Sequence, residues 1–172
     1  TAAAGTRASA AVTSSTRTLT AVAPTAPPAV PFDFAQERVA LEALYNATGG
    51  EHWSDSPANG WLGPCHCQWA GVYCFNPKAC DDSPVGGIFR QDDKNLTGVL
   101  PSWNGDPGQG ALPQLQQLYL TDNPGLTGTL PEWGGMKEMN SLYLYNNSLD
   151  GTLPEAWGAM TKITTLNLYN NH

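Results

Sequence analysis

The stretch LYLYNNSLDGTLPEAWGAM, residues 142–160, indicates a repeat architecture, because nearly the same string occurs just before it and again just after it. The flanking copies are LPQLQQLYLTDNPGLTGTLPEW, from Leu112, and MTKITTLNLYNNH, from Met160. Three positions recur every 24 residues, namely Leu118, Leu142 and Leu166; Leu120, Leu144 and Leu168; and Asn123, Asn147 and Asn171. A fixed period of this length is typical of proteins built from stacked structural repeats.

Each LxLxxN segment predicts one short strand that ends in a turn. Strand side chains alternate, so the leucines should enter the core and the residues between them should face outward. The recurring asparagines should form an asparagine ladder, since an amide both donates to and accepts from backbone groups that lack a strand partner. In the LxGxLP that follows, glycine permits a bend and proline ends the hydrogen-bonding run. The predicted fold class is an α/β repeat solenoid with short parallel strands on its concave face.

An earlier and less regular copy, IFRQDDKNLTGVLPSW, precedes these repeats. It places Arg90 where a repeat leucine belongs, and its Trp103 is followed by the insertion NGDPGQ. With this copy, residues 85–172 hold about three and a half repeats, the last one incomplete. Trp103, Trp133 and Trp157 recur after Leu-Pro, and we interpret them as packing residues rather than a ligand site.

The outward strand positions hold the candidate binding residues of the concave face: Tyr119, Thr121, Tyr143, Tyr145, Asn167 and Tyr169. Stacked strands lie about 4.8 Å apart, so Tyr119 should lie beside Tyr143, and Tyr145 beside Tyr169. An uncharged tyrosine patch suits contact with a protein or a glycan, because tyrosine combines rigid area with a polar tip. The alternative is that the repeat consensus alone explains the tyrosines.

Residues 32–84 form a different segment, which begins with an amphipathic helix. In PFDFAQERVALEALYNATGG, Asp33 followed by Gln36 fits a capping box. Apolar side chains then follow at helical spacing, and Gly49-Gly50 should end the helix.

The same segment contains all four cysteines, Cys65, Cys67, Cys74 and Cys80. Zinc sites favour two to four residues between paired ligands, whereas one residue separates Cys65 from Cys67. An even cysteine count in a chain with glycosylation sequons favours two disulfides and no metal. Of the three possible pairings, we expect Cys67–Cys74 with Cys65–Cys80.

Together these motifs resemble the plant-type leucine-rich repeat, LxxLxLxxNxLxGxLP. The segment ERVALEALYNATGG…W…GWLGPCHCQWAGVYC is similar to the N-terminal cap that precedes such repeats in secreted and receptor proteins. The motif LYLYNN…GTLPE also resembles the repeats of leucine-rich surface antigens of protists. The resemblance covers about residues 34–172 and implies a curved extracellular solenoid that binds partners on its concave sheet. This chain departs from the family in its small number of repeats and in stopping inside a repeat without a C-terminal cap.

Residues 1–31 lie outside the resemblance and form an Ala/Thr/Pro-rich arm. The arm holds ten Ala, seven Thr, three Ser and four Pro, a composition that does not fold alone. It is expected to be a disordered or O-glycosylated stalk, although its β-branched part has strand propensity. The arm carries two arginines and no acid, and the rest of the chain carries six basic and fifteen acidic residues, a net charge of −9. An acidic body without a basic stripe argues against nucleic-acid binding.

No set of residues indicates catalysis or a cofactor. The sequence has no phosphate-binding glycine loop and no G-x-S-x-G. Its histidines, His52, His66 and His172, form no evident relay. Glu132 and Glu155 occupy the same slot of successive repeats, which indicates a solvated repeat position rather than an acid–base pair. The apolar runs are also too short to cross a bilayer.

Three sequons, at Asn46, Asn95 and Asn146, predict N-glycosylation. Together with the expected disulfides, they indicate a secreted or cell-surface protein. Asn146 should leave the sheet at its rim, where a glycan would limit access to one edge of the tyrosine patch.

Two functional hypotheses follow from these features. The first is a subunit of an extracellular fibre or coat, in which the arm of one copy adds to the open last repeat of the next, head to tail. The second is a monomeric recognition module, such as a receptor, adhesion or inhibitor ectodomain, that binds a protein or glycan on the tyrosine patch. An enzyme has no support from the residues.

Overall fold

The computed structural model describes residues 33–56, 59–78, 80, 83–106 and 108–172. The chain divides into two units, Thr1–Pro31 and Phe32–His172, and only the second contains described residues. The expectations for the arm therefore lie outside the described residues.

Helix α1 spans Phe34–Ala47, as the capping and periodicity predict. The Asp33 carboxylate accepts a hydrogen bond from the N–H of Ala35 at 3.0 Å, which is a simple N-cap rather than the reciprocal capping box. The helix buries Leu41 and Leu44 completely. It ends as expected, because Gly49 adopts the left-handed conformation with a φ of 69°.

Within the described residues eight strands follow the helix: β1 (Val72–Cys74), β2 (Val85–Phe89), β3 (Thr97–Val99), β4 (Gln117–Tyr119), β5 (Asn123–Thr129), β6 (Ser141–Tyr143), β7 (Asn147–Asp150) and β8 (Thr165–Asn167). They form a five-stranded sheet in the order β1-β2-β4-β6-β8 and a three-stranded sheet in the order β3-β5-β7. All pairs are parallel except β1–β2, which is antiparallel. Short 3-10 turns occupy Gly50–His52, His66–Gln68 and Glu155–Ala159.

The repeat leucines form the core that joins the two sheets. In the register of the larger sheet, Leu118 pairs with Leu142, and Leu142 with Leu166. Leu118 and Leu142 are fully buried, and they belong to one hydrophobic cluster with Leu126 and Leu149 of the smaller sheet. The alternation expected from the sequence therefore holds, while Leu166, in the last repeat, is 42% exposed.

The three repeat asparagines hold successive repeats together through their side chains. Asn147 Nδ2 donates to the carbonyl oxygens of Leu120 at 2.7 Å and Leu144 at 2.8 Å. Its Oδ1 accepts from the N–H of Asn123 at 3.0 Å. Asn123 and Asn171 make equivalent sets of bonds to their own neighbouring backbone groups. Each amide therefore satisfies backbone groups at the point where a strand ends.

The recurring tryptophans form a second series. The rings of Trp103 and Trp133 stack at 5.1 Å, and those of Trp133 and Trp157 at 5.9 Å. The indole N–H of Trp133 donates to the Pro101 carbonyl at 2.9 Å, and that of Trp157 to the Pro131 carbonyl at 2.8 Å. These contacts agree with the packing role expected from the sequence.

Arg90 explains why the first repeat is irregular. Its side chain is 1% exposed and forms a double ion pair with Asp55, with N···O distances of 2.9 Å and 2.7 Å. The guanidinium also lies 4.2 Å from the ring centre of Trp53. A charge in a leucine position is tolerated because the cysteine-rich segment supplies a carboxylate and an aromatic ring.

The cysteines of this segment pair as Cys65 with Cys80, at a Cα–Cα distance of 5.0 Å, and Cys67 with Cys74, at 5.5 Å. Among the described residues no cysteine is free. One bond ties β1 to the preceding 3-10 turn, and the other ties the residue before that turn to the chain that leads into β2.

The two residues that follow the insertion NGDPGQ pack on helix α1. The N–H of Ala111 donates to the Gln36 carbonyl at 3.2 Å. Gly110 has a φ of 61°, and a Cβ at this position would lie 2.2 Å from the Ala40 nitrogen, so only glycine fits against the helix backbone.

Replacing Asn147 with alanine should lower the free energy of unfolding by about 2–4 kcal/mol, because two carbonyls and one N–H lose a buried partner. Chemical denaturation of wild type and variant measures this loss. Asn167→Ala, an outward asparagine of β8, is the matched control and should change stability by less than about 0.5 kcal/mol. Equal losses in the two variants would contradict a structural role for the amide series.

Candidate binding face

Four strands of the five-stranded sheet, β1, β2, β4 and β6, each place one aromatic side chain on the outer surface, and two further tyrosines follow the ends of β6 and β8. We call this surface the aromatic face, and its residues are Tyr73, Phe89, Tyr119, Tyr143, Tyr145 and Tyr169. Strand alternation produces the part of the face that lies on the strands, because the residues on both sides of each of these four rings are buried. Tyr73 and Tyr169, at its two ends, are 60% and 55% exposed.

The rings form continuous rows. Phe89 and Tyr119 contact edge to face at 4.9 Å, and Tyr119 and Tyr143 at 4.5 Å. Tyr145 and Tyr169 stack nearly parallel at 4.8 Å. The ring neighbours predicted from strand spacing are thus present. These contacts restrict the rotamers of the rings, so a partner meets an ordered surface.

The positions between the rings are polar and uncharged: Gln117, Ser141, Thr165 and Asn167. Gly87 leaves a gap in the second strand, where a Cβ would lie 2.7 Å from the Phe89 ring. The Phe89 side chain therefore folds over its own strand. A surface of rings, amides and hydroxyls without charge binds through apolar area and neutral hydrogen bonds.

The sequence prediction was wrong about the direction of the Thr121 side chain. It was expected to face outward, but its side chain is 1% exposed. Strand β4 ends at Tyr119, so strand alternation does not fix the direction of a side chain two residues later, either here or at the equivalent positions of the next repeats. Tyr145 and Tyr169, at the corresponding positions of the next repeats, remain accessible.

Tyr73 and Phe89 belong to the aromatic face but were not among the binding residues predicted from the sequence. Phe89 was recognisable, because placing Arg90 in the slot of Leu120 puts Phe89 in the slot of Tyr119. Tyr73 gave a weaker signal, since β1 lies outside the repeat and joins the sheet in the opposite direction.

The sequon asparagines have three different environments. Asn46 is exposed at the end of helix α1. Asn95 is exposed, and its amide donates to the His52 carbonyl at 3.0 Å. Asn146 is half-buried and lies in a side-chain series, donating to the Asp122 carboxylate at 2.6 Å and accepting from Asn170 at 2.8 Å. N-glycosylation of all three stays a prediction.

The one group of side chains in the described part of the chain that is compact enough for a metal ion does not fit one. The ligand atoms of His66, Cys67 and Cys74 lie within 4.8 Å of one another. However, Cys67 and Cys74 are joined to each other, and metals bind the thiolate form of cysteine.

Two acids have shifted pKa values, and neither belongs to the aromatic face. Burial raises the pKa of Glu37 to about 7, although the Val85 N–H donates to its carboxylate. Partial burial also works to raise the pKa of Asp55, but hydrogen bonds from Arg90 and Asn59 outweigh it and hold that pKa below its ordinary value. Glu132 and Glu155 are exposed. Glu37 is therefore part of the core, Asp55 is paired with Arg90, and Glu132 and Glu155 lie on the surface.

Residues 113–172 match the family model for the leucine rich repeat. These residues are therefore leucine-rich repeats, and the cysteine-rich segment that precedes the repeats contains two disulfide bonds. No curated protein matches the sequence.

Solved structures share the fold. A plant ice-binding protein is 31% identical with a TM-score of 0.63, over 80% of this chain and 41% of that protein. The BIR3–SERK2 complex from Arabidopsis thaliana is 22% identical with a TM-score of 0.62, over 78% of this chain and 69% of that chain. The ectodomain of the receptor kinase GASSHO1/SCHENGEN3 from Arabidopsis thaliana, solved with CASPARIAN STRIP INTEGRITY FACTOR 2, is 25% identical with a TM-score of 0.61, over 78% of this chain and 15% of that chain. The present chain thus spans about two fifths of the ice-binding protein.

The described residues contain no helix that is both long and apolar enough to span a bilayer.

Glu37 should make stability depend on pH. Its pKa is about 7 in the folded protein against an ordinary value of 4.5. The folded state therefore retains a proton that the unfolded state loses as the pH rises from 4.5 to 7, so stability falls across this window, by about 3 kcal/mol at most. Relative to wild type, Glu37→Gln should gain stability between pH 4 and pH 8. Denaturation at both pH values measures the change, and the exposed control Glu132→Gln should show none. A pH-independent difference between wild type and Glu37→Gln would contradict the raised pKa.

Proposed function

We propose that this chain is a non-catalytic extracellular recognition module that binds a partner protein on the aromatic face. The observation that carries the proposal is an uncharged, accessible surface on which the rings of Phe89, Tyr119 and Tyr143 contact one another in a row and those of Tyr145 and Tyr169 stack beside it. Tyrosine is enriched at the energetic centres of interfaces, because a large ring is ordered at low entropic cost and its hydroxyl still forms a hydrogen bond. None of the rings of the aromatic face belongs to the buried hydrophobic cluster.

The size and order of the face support protein recognition. Rings on neighbouring strands contact each other at 4.5–4.9 Å, so little side-chain freedom is lost on binding. An uncharged surface on an acidic chain also avoids burying unpaired charge at the centre of an interface.

Two of the similar structures add support. One is a complex of two named plant proteins, BIR3 and SERK2, and another is a receptor ectodomain solved with CASPARIAN STRIP INTEGRITY FACTOR 2. The disulfides and the three sequons favour an extracellular location for this chain.

The test compares the proteins that immobilised wild type and an immobilised tyrosine variant retain from the secreted and surface fraction of the source cells. The immobilised chain should retain a specific partner, and Tyr119→Ala combined with Tyr143→Ala should weaken its binding by about 30-fold or more, as expected for hot-spot residues. Binding is then quantified with the purified partner.

The matched control carries Thr127→Ala with Thr129→Ala on the other sheet, where both threonines are exposed. This variant should bind like wild type, and thermal melts should show that all the variants are folded. Equal loss of binding in both double variants, or no loss of binding in the tyrosine variant, would show that the interface does not lie on the aromatic face.

Head-to-tail assembly into a fibre or coat is the second hypothesis. The observation in its favour is the charge contrast, since the arm is +2 and the remaining residues are −9, which promotes association at low salt. Deleting residues 1–30 should then leave a folded monomer, while the full chain forms larger species in low-salt sedimentation experiments. Assemblies that persist unchanged after the deletion would exclude the arm as the connector.

A further inference from the structure

Asn46 lies on the wall of a groove between helix α1 and the first repeat. The groove has a volume of about 480 Å³, within the range of roughly 300–1,000 Å³ that is usual for small-ligand sites. Its lining is small and aliphatic on the helix side, at Ala43 and Ala47, and includes Val99 and Pro101 on the other side. No lining residue carries a charge.

The two walls of the groove are fixed to each other. The N–H of Thr97 donates to the Thr48 carbonyl at 3.0 Å, which joins the start of β3 to the end of helix α1. Gly98 has a φ of 92°, and a Cβ there would lie 2.5 Å from the Ala47 oxygen, so the backbones approach as closely as glycine allows. The groove is therefore formed before any ligand enters it.

We propose that this groove is a carbohydrate subsite that holds the first sugars of an N-glycan attached to Asn46. Asn46 belongs to a sequon, its side chain is exposed, and it lines the groove. The other two sequon asparagines donate their amide hydrogens to protein oxygens. Asn46 is thus the sequon residue that both projects from the fold and borders a preformed cavity.

The chemistry of the groove suits a neutral amino sugar. A pyranose ring presents C–H groups on its faces and hydroxyls at its edge. The aliphatic side chains of Ala43, Ala47 and Val99 match the ring faces, while Ser102 and Gln109 offer polar atoms at the rim. A covalently tethered sugar has an effective concentration in the millimolar range, so contacts too weak to bind a free sugar are sufficient.

A second groove borders Asn46 on its other side and provides an internal control. It is lined by Tyr45, Glu51 and the exposed Leu62. Its acidic group and its smaller volume of about 360 Å³ make it the less suitable site.

The experiment uses the full chain from a glycosylating secretory host. Glycans are released by an amidase under native conditions, and occupancy is followed at each sequon by mass spectrometry. The Asn46 glycan should be released at least about tenfold more slowly than the Asn95 glycan, as expected when more than about 1.4 kcal/mol holds it in the groove. After denaturation, the two rates should be equal.

Two variants then identify the groove. Val99→Arg obstructs the proposed groove at a residue that is 53% exposed, and Leu62→Arg obstructs the other at a residue that is 47% exposed. Val99→Arg should accelerate native release at Asn46, and Leu62→Arg should leave it unchanged. Since Val99→Arg could disturb the fold, hydrogen exchange in residues 99–102 is compared between the glycosylated chain and Asn46→Gln, and it should be slower with the sugar present.

Four results would overturn the inference: an unmodified Asn46, equal native release at Asn46 and Asn95, acceleration by Leu62→Arg in place of Val99→Arg, or unchanged hydrogen exchange. None of these results bears on partner binding at the aromatic face, so the two proposals fail independently.

Discussion

The hydrogen bonds of the repeat asparagines are the constraint on which this structure depends. Parallel strands of three to five residues have few ladder bonds of their own, and each is followed by a turn that removes the backbone from the sheet. The amides of Asn123, Asn147 and Asn171 satisfy carbonyls and N–H groups at these turns. They fix the spacing of successive repeats, and that spacing places Tyr119 beside Tyr143 on the outer surface.

The junction with the cysteine-rich segment depends on a different interaction. Arg90 carries a buried charge into a position that is leucine in the later repeats, and Asp55 neutralises it through two hydrogen bonds. Removing Asp55 would leave the Arg90 charge uncompensated in the core, which is usually more costly than never burying the pair. The same strand presents Phe89 outward and Ile88 inward, so this junction also continues the aromatic face toward the disulfide-bonded residues.

The sequence predicted what the 24-residue period controls directly. Inward leucines, stacked tryptophans and neighbouring tyrosines follow from the period and from strand alternation, because each position has an equivalent partner one repeat away. Features without such a partner were not predictable. The second sheet formed by β3, β5 and β7 was expected only as a turn, because its strands contain Gly98 and Gly128. The burial of Thr121 and the pairing of Arg90 depend on where one strand stops and on a carboxylate 35 residues earlier.

Protein recognition on the aromatic face requires that a partner covers its rings. Tyrosine-selective chemical labelling detects such cover directly, when the chain in its native setting is compared with the purified chain. Tyr119, Tyr143 and Tyr145 should be protected in the native setting and labelled after purification. Equal labelling of these residues in both samples would contradict the proposed contact surface.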